Sequence, residues 1–226
     1  MNKHRRTTPG KRARKRLKAE VKRLKEKVDD LESAIIRIRG NNVRTGKVAT
    51  PSAAMLYESE LNAIQRHVLC YPNLETGGSL YGWYSETGLP VIAIATGPGQ
   101  NARHDSTRFH ADEAYSMAVG NQMAAHGLQH LGEWHSHHKI SLSQPSAIDC
   151  RAMAESLGVH GSPFLRFLCG IANIVGDKVT FGLFYFSTKT GLAYSHTPIV
   201  VKNGCSPMRT GIVGTIENIN QKGVIL

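Results

Sequence analysis

LQHLGEWHSHHKISLSQPSAID, residues 128–149, reads as a strand, a loop and the opening turn of a helix, and the rest of the domain is placed around it. Leu128–His135 carries the strand, and the helix runs from about Ser146 to Leu157. Along a strand, residues i and i+2 point to the same side. His135 and His137 therefore present two imidazoles together as the strand ends, which suits adjacent positions on one tetrahedral zinc ion. Asp149 is the natural third ligand, one turn into the helix, with Ser146 three residues earlier on the same helical face. Two histidines, one aspartate and a position left for water make the open coordination of a catalytic zinc rather than a structural one.

Hydrolysis at such a site also needs a general base, because water must give up a proton and the leaving amine must receive one. Upstream, Leu74-Glu75-Thr76-Gly77-Gly78 places a carboxylate at a helix-to-strand junction, and its paired glycines let backbone approach backbone. Glu75 is the candidate base. Before it, Leu61, Ile64, Val68 and Leu69 share one face of a helix over Glu58–Leu69. After it come a strand at Gly78–Tyr84, a turn at Glu86-Thr87-Gly88, a strand at Pro90–Thr96 and a helix at Ala111–His126. Beyond the central stretch, strands are predicted at Phe164–Ile174, Lys178–Ser187 and Leu192–Val201. Strands interleaved with helices predict an α/β domain around a mixed sheet.

Read in order, Glu-Thr-Gly-Gly (75–78), Ala-Thr-Gly-Pro-Gly (95–99), Gly-Glu-Trp-His-Ser-His (132–137) and Pro-Ser-x-x-Asp (145–149) resemble the JAMM/MPN+ (JAB-domain) metalloproteases. The similarity covers about residues 55–200, and the ordered combination is specific where His-x-His alone would be weak. It is similar to the bacterial members that accompany ubiquitin-like proteins and E1/E2-like enzymes. The resemblance implies an MPN/JAB fold with helices flanking the mixed sheet, with His135, His137 and Asp149 on Zn2+, Glu75 as acid/base and Ser146 stabilising the oxyanion. It further implies cleavage of a ubiquitin-like protein from its target, or maturation of its precursor, in a conjugation system linked to antiviral defence or stress. A zinc peptidase for short or phage-tail peptides, and a non-catalytic scaffold recruited through its N-terminal helix, are the alternatives. Two departures stand out: eight residues rather than seven separate His137 from Ser146, and His138 stands where proline is usual. Alternation turns His138 away from its neighbours, so it is expected to be exposed.

The net charge of +11 misdescribes this domain. Residues 1–50 hold 17 Lys/Arg against 5 Asp/Glu, whereas residues 51–226 hold 11 against 12. Charge-driven contacts therefore belong to an N-terminal arm. Its first ten residues form a disordered basic tail broken by Pro9-Gly10. Across 11–39 the positions Leu17, Val21, Leu24, Val28, Leu31, Ile35 and Ile38 repeat at intervals of 4 and 3, a heptad seam with β-branched residues at a and mainly leucine at d. This pattern predicts a parallel homodimer through residues 17–38, against the alternative of an amphipathic helix on another surface. Basic residues before heptads also occur in bZIP proteins, but no asparagine suited to adenine lies in Lys11–Lys18, so the arm is expected to contact nucleic acid non-specifically.

The remaining divisions are a linker at 40–54, the metalloprotease domain at 55–203 and a C-terminal tail at 204–226 without a strong period. No run of eighteen apolar residues exists, so no membrane helix is expected. Cys70, Cys150, Cys169 and Cys205 are widely spaced and form no C-x-x-C pair, which suits free thiols in a cytoplasmic protein. The other histidines, His104 among them, read as surface or satisfied core residues. Trp134, turned away from the ligand side, is expected to pack in the core.

Overall fold

The computed structural model describes residues 20, 22–23, 50–138, 142–158, 165–188 and 193–222. The chain divides into two units, Met1–Lys47 and Val48–Leu226. In the first, Glu20, Lys22 and Arg23 are helical and exposed. The heptad seam over 17–38, the basic tail and most of the 40–54 linker lie outside the described residues.

The second unit is built on a mixed sheet of eight strands: β1 (Ala54–Tyr57), β2 (Gly77–Tyr84), β3 (Pro90–Ala95), β6 (Gln129–Ser136), β7 (Arg166–Val175), β8 (Lys178–Ser187), β9 (Ser195–His196) and β10 (Ile199–Lys202). Their spatial order is β10-β1-β3-β2-β6-β7-β8-β9. A small hairpin of β4 (Arg103–His104) and β5 (Phe109–His110) stands apart. Four helices among the described residues accompany the sheet: α1 (Glu58–Cys70), α2 (Glu113–Ala125), α3 (Ala147–Gly158) and α4 (Arg209–Lys222).

Successive residues of a strand face opposite ways, and the core divides accordingly. Leu80 and Leu168 join Ile64 and Val68 of α1, together with Leu56, Ile92 and Trp134. Tyr81, the next residue along, meets Tyr115, Val119 and Met123 of α2 on the other face. Phe167 and Cys169, which flank Leu168, meet Met153 and Leu157 of α3 on that face too. Leu131 and Trp134 share a face although three residues apart, because the β2–β6 register skips Leu131, a bulge that resets the alternation. Trp134 is buried as expected, its indole N–H donating to the Thr96 carbonyl at 3.0 Å.

Three readings need amendment. The strand expected at Leu192–Val201 is two short strands: β9 pairs with β8 at one sheet edge, and β10 runs parallel to β1 at the other. Pro198, which has no N–H to give a ladder, stands between them. The end of the linker already enters β1 at Ala54. The tail without a strong period contains α4, where Met208, Ile212, Ile216 and Ile219 pack on the α2 cluster. Gly211 and Gly214 lower its intrinsic helix propensity, so packing sustains it. All four cysteines are free thiols, and no helix among the described residues is long and apolar enough to cross a membrane.

Candidate metal centre

β6 lies between antiparallel β2 and parallel β7, so its C-terminal end is buttressed on both sides. His135 pairs with Gly77 on one flank and Ile171 on the other. His137 lies one residue past the strand, with its N–H donating to the Ala172 carbonyl at 2.9 Å. The two Nε2 atoms stand 2.9 Å apart. Asp149, in the first turn of α3, brings Oδ1 to 3.2 Å from His135 Nε2 and Oδ2 to 3.3 Å from His137 Nε2. Ligand atoms at 2.0–2.1 Å from a tetrahedral ion would be about 3.3 Å apart, so the two imidazole nitrogens and the Asp149 carboxylate are spaced for one such ion.

The surrounding bonds agree with that use. A carbonyl oxygen only accepts, so the 3.1 Å contact of His137 Nδ1 with the Leu142 carbonyl places the ring hydrogen on Nδ1 and frees Nε2 as a ligand. The same carbonyl accepts from Asn173 Nδ2 at 2.9 Å, so Asn173 steadies the Leu142 carbonyl that orients His137. Burial works against the charged form of His137, but the Asp149 carboxylate and the Leu142 carbonyl outweigh it and raise its pKa. Burial would likewise raise the Asp149 pKa, yet its contacts with both histidines and with Ser146 hold it well below the usual carboxylate range.

Ser146 sits at the N-cap of α3 rather than on its side. Its N–H donates to Asp149 Oδ2 at 2.7 Å, and its Oγ accepts from the Asp149 N–H at 3.2 Å, a reciprocal capping box. The Pro-Ser-x-x-Asp motif therefore starts the helix and aims the ligand with the same two residues. Because Ser146 Oγ accepts in that pair, its hydroxyl hydrogen remains available for donation.

Glu75 occupies the irregular stretch between α1 and β2, and is 4% exposed. The β2–β6 pairing continues past Gly77, with Ser136 N–H donating to the Thr76 carbonyl at 2.9 Å and Thr76 N–H donating to Ser136 Oγ at 3.0 Å. This register carries Glu75 alongside His137. Oε1 of Glu75 is buried with no hydrogen-bond partner. Burial raises its pKa, while the charges of His137 and His135 act in the opposite direction. A Cβ at Gly77 would collide with the Trp134 carbonyl and the Phe109 ring, and one at Gly78 with the Thr96 carbonyl. Glycine is required at both places for the strands to close around Glu75.

The fold brings His135, His137 and Asp149 together, with Ser146 bonded to Asp149 and Glu75 close to both histidines. His138 is not exposed as expected: it is half-buried, and both its ring nitrogens are buried. Its pKa falls through burial and the neighbouring His137. The chain leaves strand geometry after Ser136, so alternation no longer governs where His138 points. Sequence reasoning also missed Ser136 and Asn173, whose roles lie in hydrogen bonds across 60 and 31 residues that no local pattern announces. His104, read as an unremarkable histidine, contacts the backbone of Glu75.

Residues 58–181 match the family model described as prokaryotic homologs of the JAB domain. Over 127 residues the chain is 24% identical to a "probable metalloprotease y4qB" of Sinorhizobium fredii, covering 53% of this chain and 77% of that protein. The fold is similar to the solution structure of protein DSY2949 from Desulfitobacterium hafniense, with a TM-score of 0.53 and 16% identity over 67% of this chain and 94% of that one. The chain belongs to the prokaryotic JAB-domain family.

Proposed function

We propose that this prokaryotic JAB-domain protein is a zinc-dependent isopeptidase that hydrolyses the bond between a ubiquitin-like protein and its target. The observation that carries the reading is the junction of three ligand atoms spaced for one ion with a buried carboxylate whose Oε1 lacks a partner. A resemblance to a protein named as a probable metalloprotease supports the hydrolytic class. The isopeptide bond and the ubiquitin-like partner, with E1/E2-like enzymes upstream, rest on the family resemblance in the sequence.

His135, His137 and Asp149 would hold the zinc, which when bound acidifies water and polarises the scissile carbonyl. Glu75 takes the proton of the attacking water. Burial that raises its pKa makes it a base that can also return the proton, which it delivers to the departing lysine ε-amine. The Ser146 hydroxyl donates to the oxygen on which negative charge gathers. Maturation of a ubiquitin-like precursor uses the same steps on a peptide bond.

The test is to purify the full chain, measure its zinc, and incubate it with a lysine-linked conjugate of a bacterial ubiquitin-like protein. About one zinc per chain and release of the free ε-amine are expected, the open catalytic form having three protein ligands. Protein that takes up no zinc, or that cleaves short peptides and leaves the conjugate intact, would overturn the reading.

A further inference from the structure

Glu75 has no strand or helix of its own to hold it, since it lies in irregular backbone between α1 and β2. An exposed loop would leave such a residue to water, yet both of its backbone polar groups are taken by the β4–β5 hairpin. Its N–H donates to the Asp105 carbonyl at 2.7 Å. Its carbonyl lies 2.9 Å from His104 Nδ1. That oxygen only accepts, so Nδ1 carries the hydrogen and donates. The neighbouring Thr76 is held separately, by Ser136.

The His104 ring is itself fixed. Tyr71, the residue that ends α1, stacks on it with centroids 3.9 Å apart and planes 11° from parallel. Phe109, from the other strand of the hairpin, lies 5.5 Å away at a tilt of 41°. Phe109 in turn occupies the space that Gly77 leaves open. The imidazole is therefore packed against two rings, with its donor nitrogen on the carbonyl of the residue whose side chain is the candidate base.

We propose that His104 is a positioning residue for Glu75: its Nδ1–H, braced by the Tyr71 stack, sets the backbone from which the Glu75 carboxylate is aimed. This rests on the assignment of Glu75 as the base. Reacting groups held in place lose rate steeply when misplaced by small distances, so the effect belongs in kcat rather than in metal binding.

Two variants of the full-length, zinc-loaded protein separate the donor from the ring. His104→Phe keeps an aromatic surface for Tyr71 but has no donor. His104→Asn puts an amide nitrogen at the same distance along the side chain but gives up the stack. Backbone hydrogen exchange supplies a readout that needs no substrate. In His104→Phe the Glu75 amide is expected to exchange about tenfold faster, while the Thr76 amide and the zinc content stay at wild-type values. With the lysine-linked conjugate as probe, kcat should fall about tenfold to a hundredfold with KM within about twofold, and His104→Asn should recover most of the loss.

Unchanged Glu75 exchange in His104→Phe would overturn the proposal, as would loss of zinc in step with activity, or a His104→Asn protein no better than His104→Phe. If the wild-type protein fails to cleave the conjugate, the function proposed above fails, and the exchange measurement alone decides the role of His104.

Discussion

Two glutamates of this domain are buried and end in opposite chemistry. Glu60, in the first turn of α1, is 0% exposed, and its carboxylate is saturated with partners. It accepts from Ser59 Oγ at 2.8 Å, the Ala95 N–H at 2.7 Å, and Arg209 Nε and Nη2 at 2.6 and 2.5 Å. Arg209 also reaches the Ala95 carbonyl, so the pair ties α1, the end of β3 and the start of α4 together. Glu75 is almost as deeply buried, yet one oxygen has no partner and its pKa is raised by burial. A carboxylate whose lone pairs are all occupied has nothing left for a proton in transit. One left short of partners is costly to fold around and useful to a reaction.

Neutral substitutions at the two positions should therefore part company. Glu75→Gln is expected to retain zinc and lose hydrolysis of the conjugate by about a thousandfold, the range of a lost general base. Turnover near the wild-type rate would remove Glu75 from its role. In the zinc-free protein the same change should raise stability at neutral pH by about 1 kcal/mol, read as a higher urea midpoint. The sign follows from the raised pKa: the neutral acid is favoured in the folded state, so its contribution is full below the unfolded pKa and fades as pH rises through the folded one. The advantage of the glutamine should accordingly vanish when the comparison is repeated in acid.

At Glu60 the direction reverses. Arg209→Met leaves a buried carboxylate without its cation and is expected to cost about 3–5 kcal/mol in urea unfolding. Zinc content and kcat per folded molecule should stay at wild-type levels. A variant of normal stability would show that the α4 tie is decorative. A catalytic defect without unfolding would blur the contrast between the two glutamates.

The smallest effect on either site is expected from removing residues 1–39. The shortened protein should keep its zinc and its unfolding midpoint while sedimenting as a monomer, because the heptad seam lies wholly within the deleted arm. A truncated protein that still runs as a dimer would refute the heptad reading.

Much of the candidate site was legible in the sequence because its geometry is local. His135 and His137 share a side through strand alternation, and Ser146 and Asp149 meet across one helical turn. The paired glycines after Glu75 signalled close backbone approach, which the Trp134 and Thr96 carbonyls make literal. The failures are local rules carried too far. Alternation was extended to His138 after the strand had ended, and one strand was drawn through Pro198. In α4 the apolar spacing was present but masked by glycines, and its anchor lies 149 residues away at Glu60.

What the sequence determined by itself was the set of candidate side chains and the order in which strand, loop and helix present them, since spacing over a few residues fixes direction. Which carboxylate would be held inert and which left short of partners was decided only by the fold. Glu60 and Glu75 are the same residue fifteen positions apart, both near an end of α1. Arg209, 149 residues away, saturates the Glu60 carboxylate, whereas the distant groups that hold Glu75, His104 and Asp105, bond only its backbone and leave Oε1 without a partner. Desolvation and hydrogen-bond supply are properties of the assembled surroundings, and no short stretch of sequence carries them.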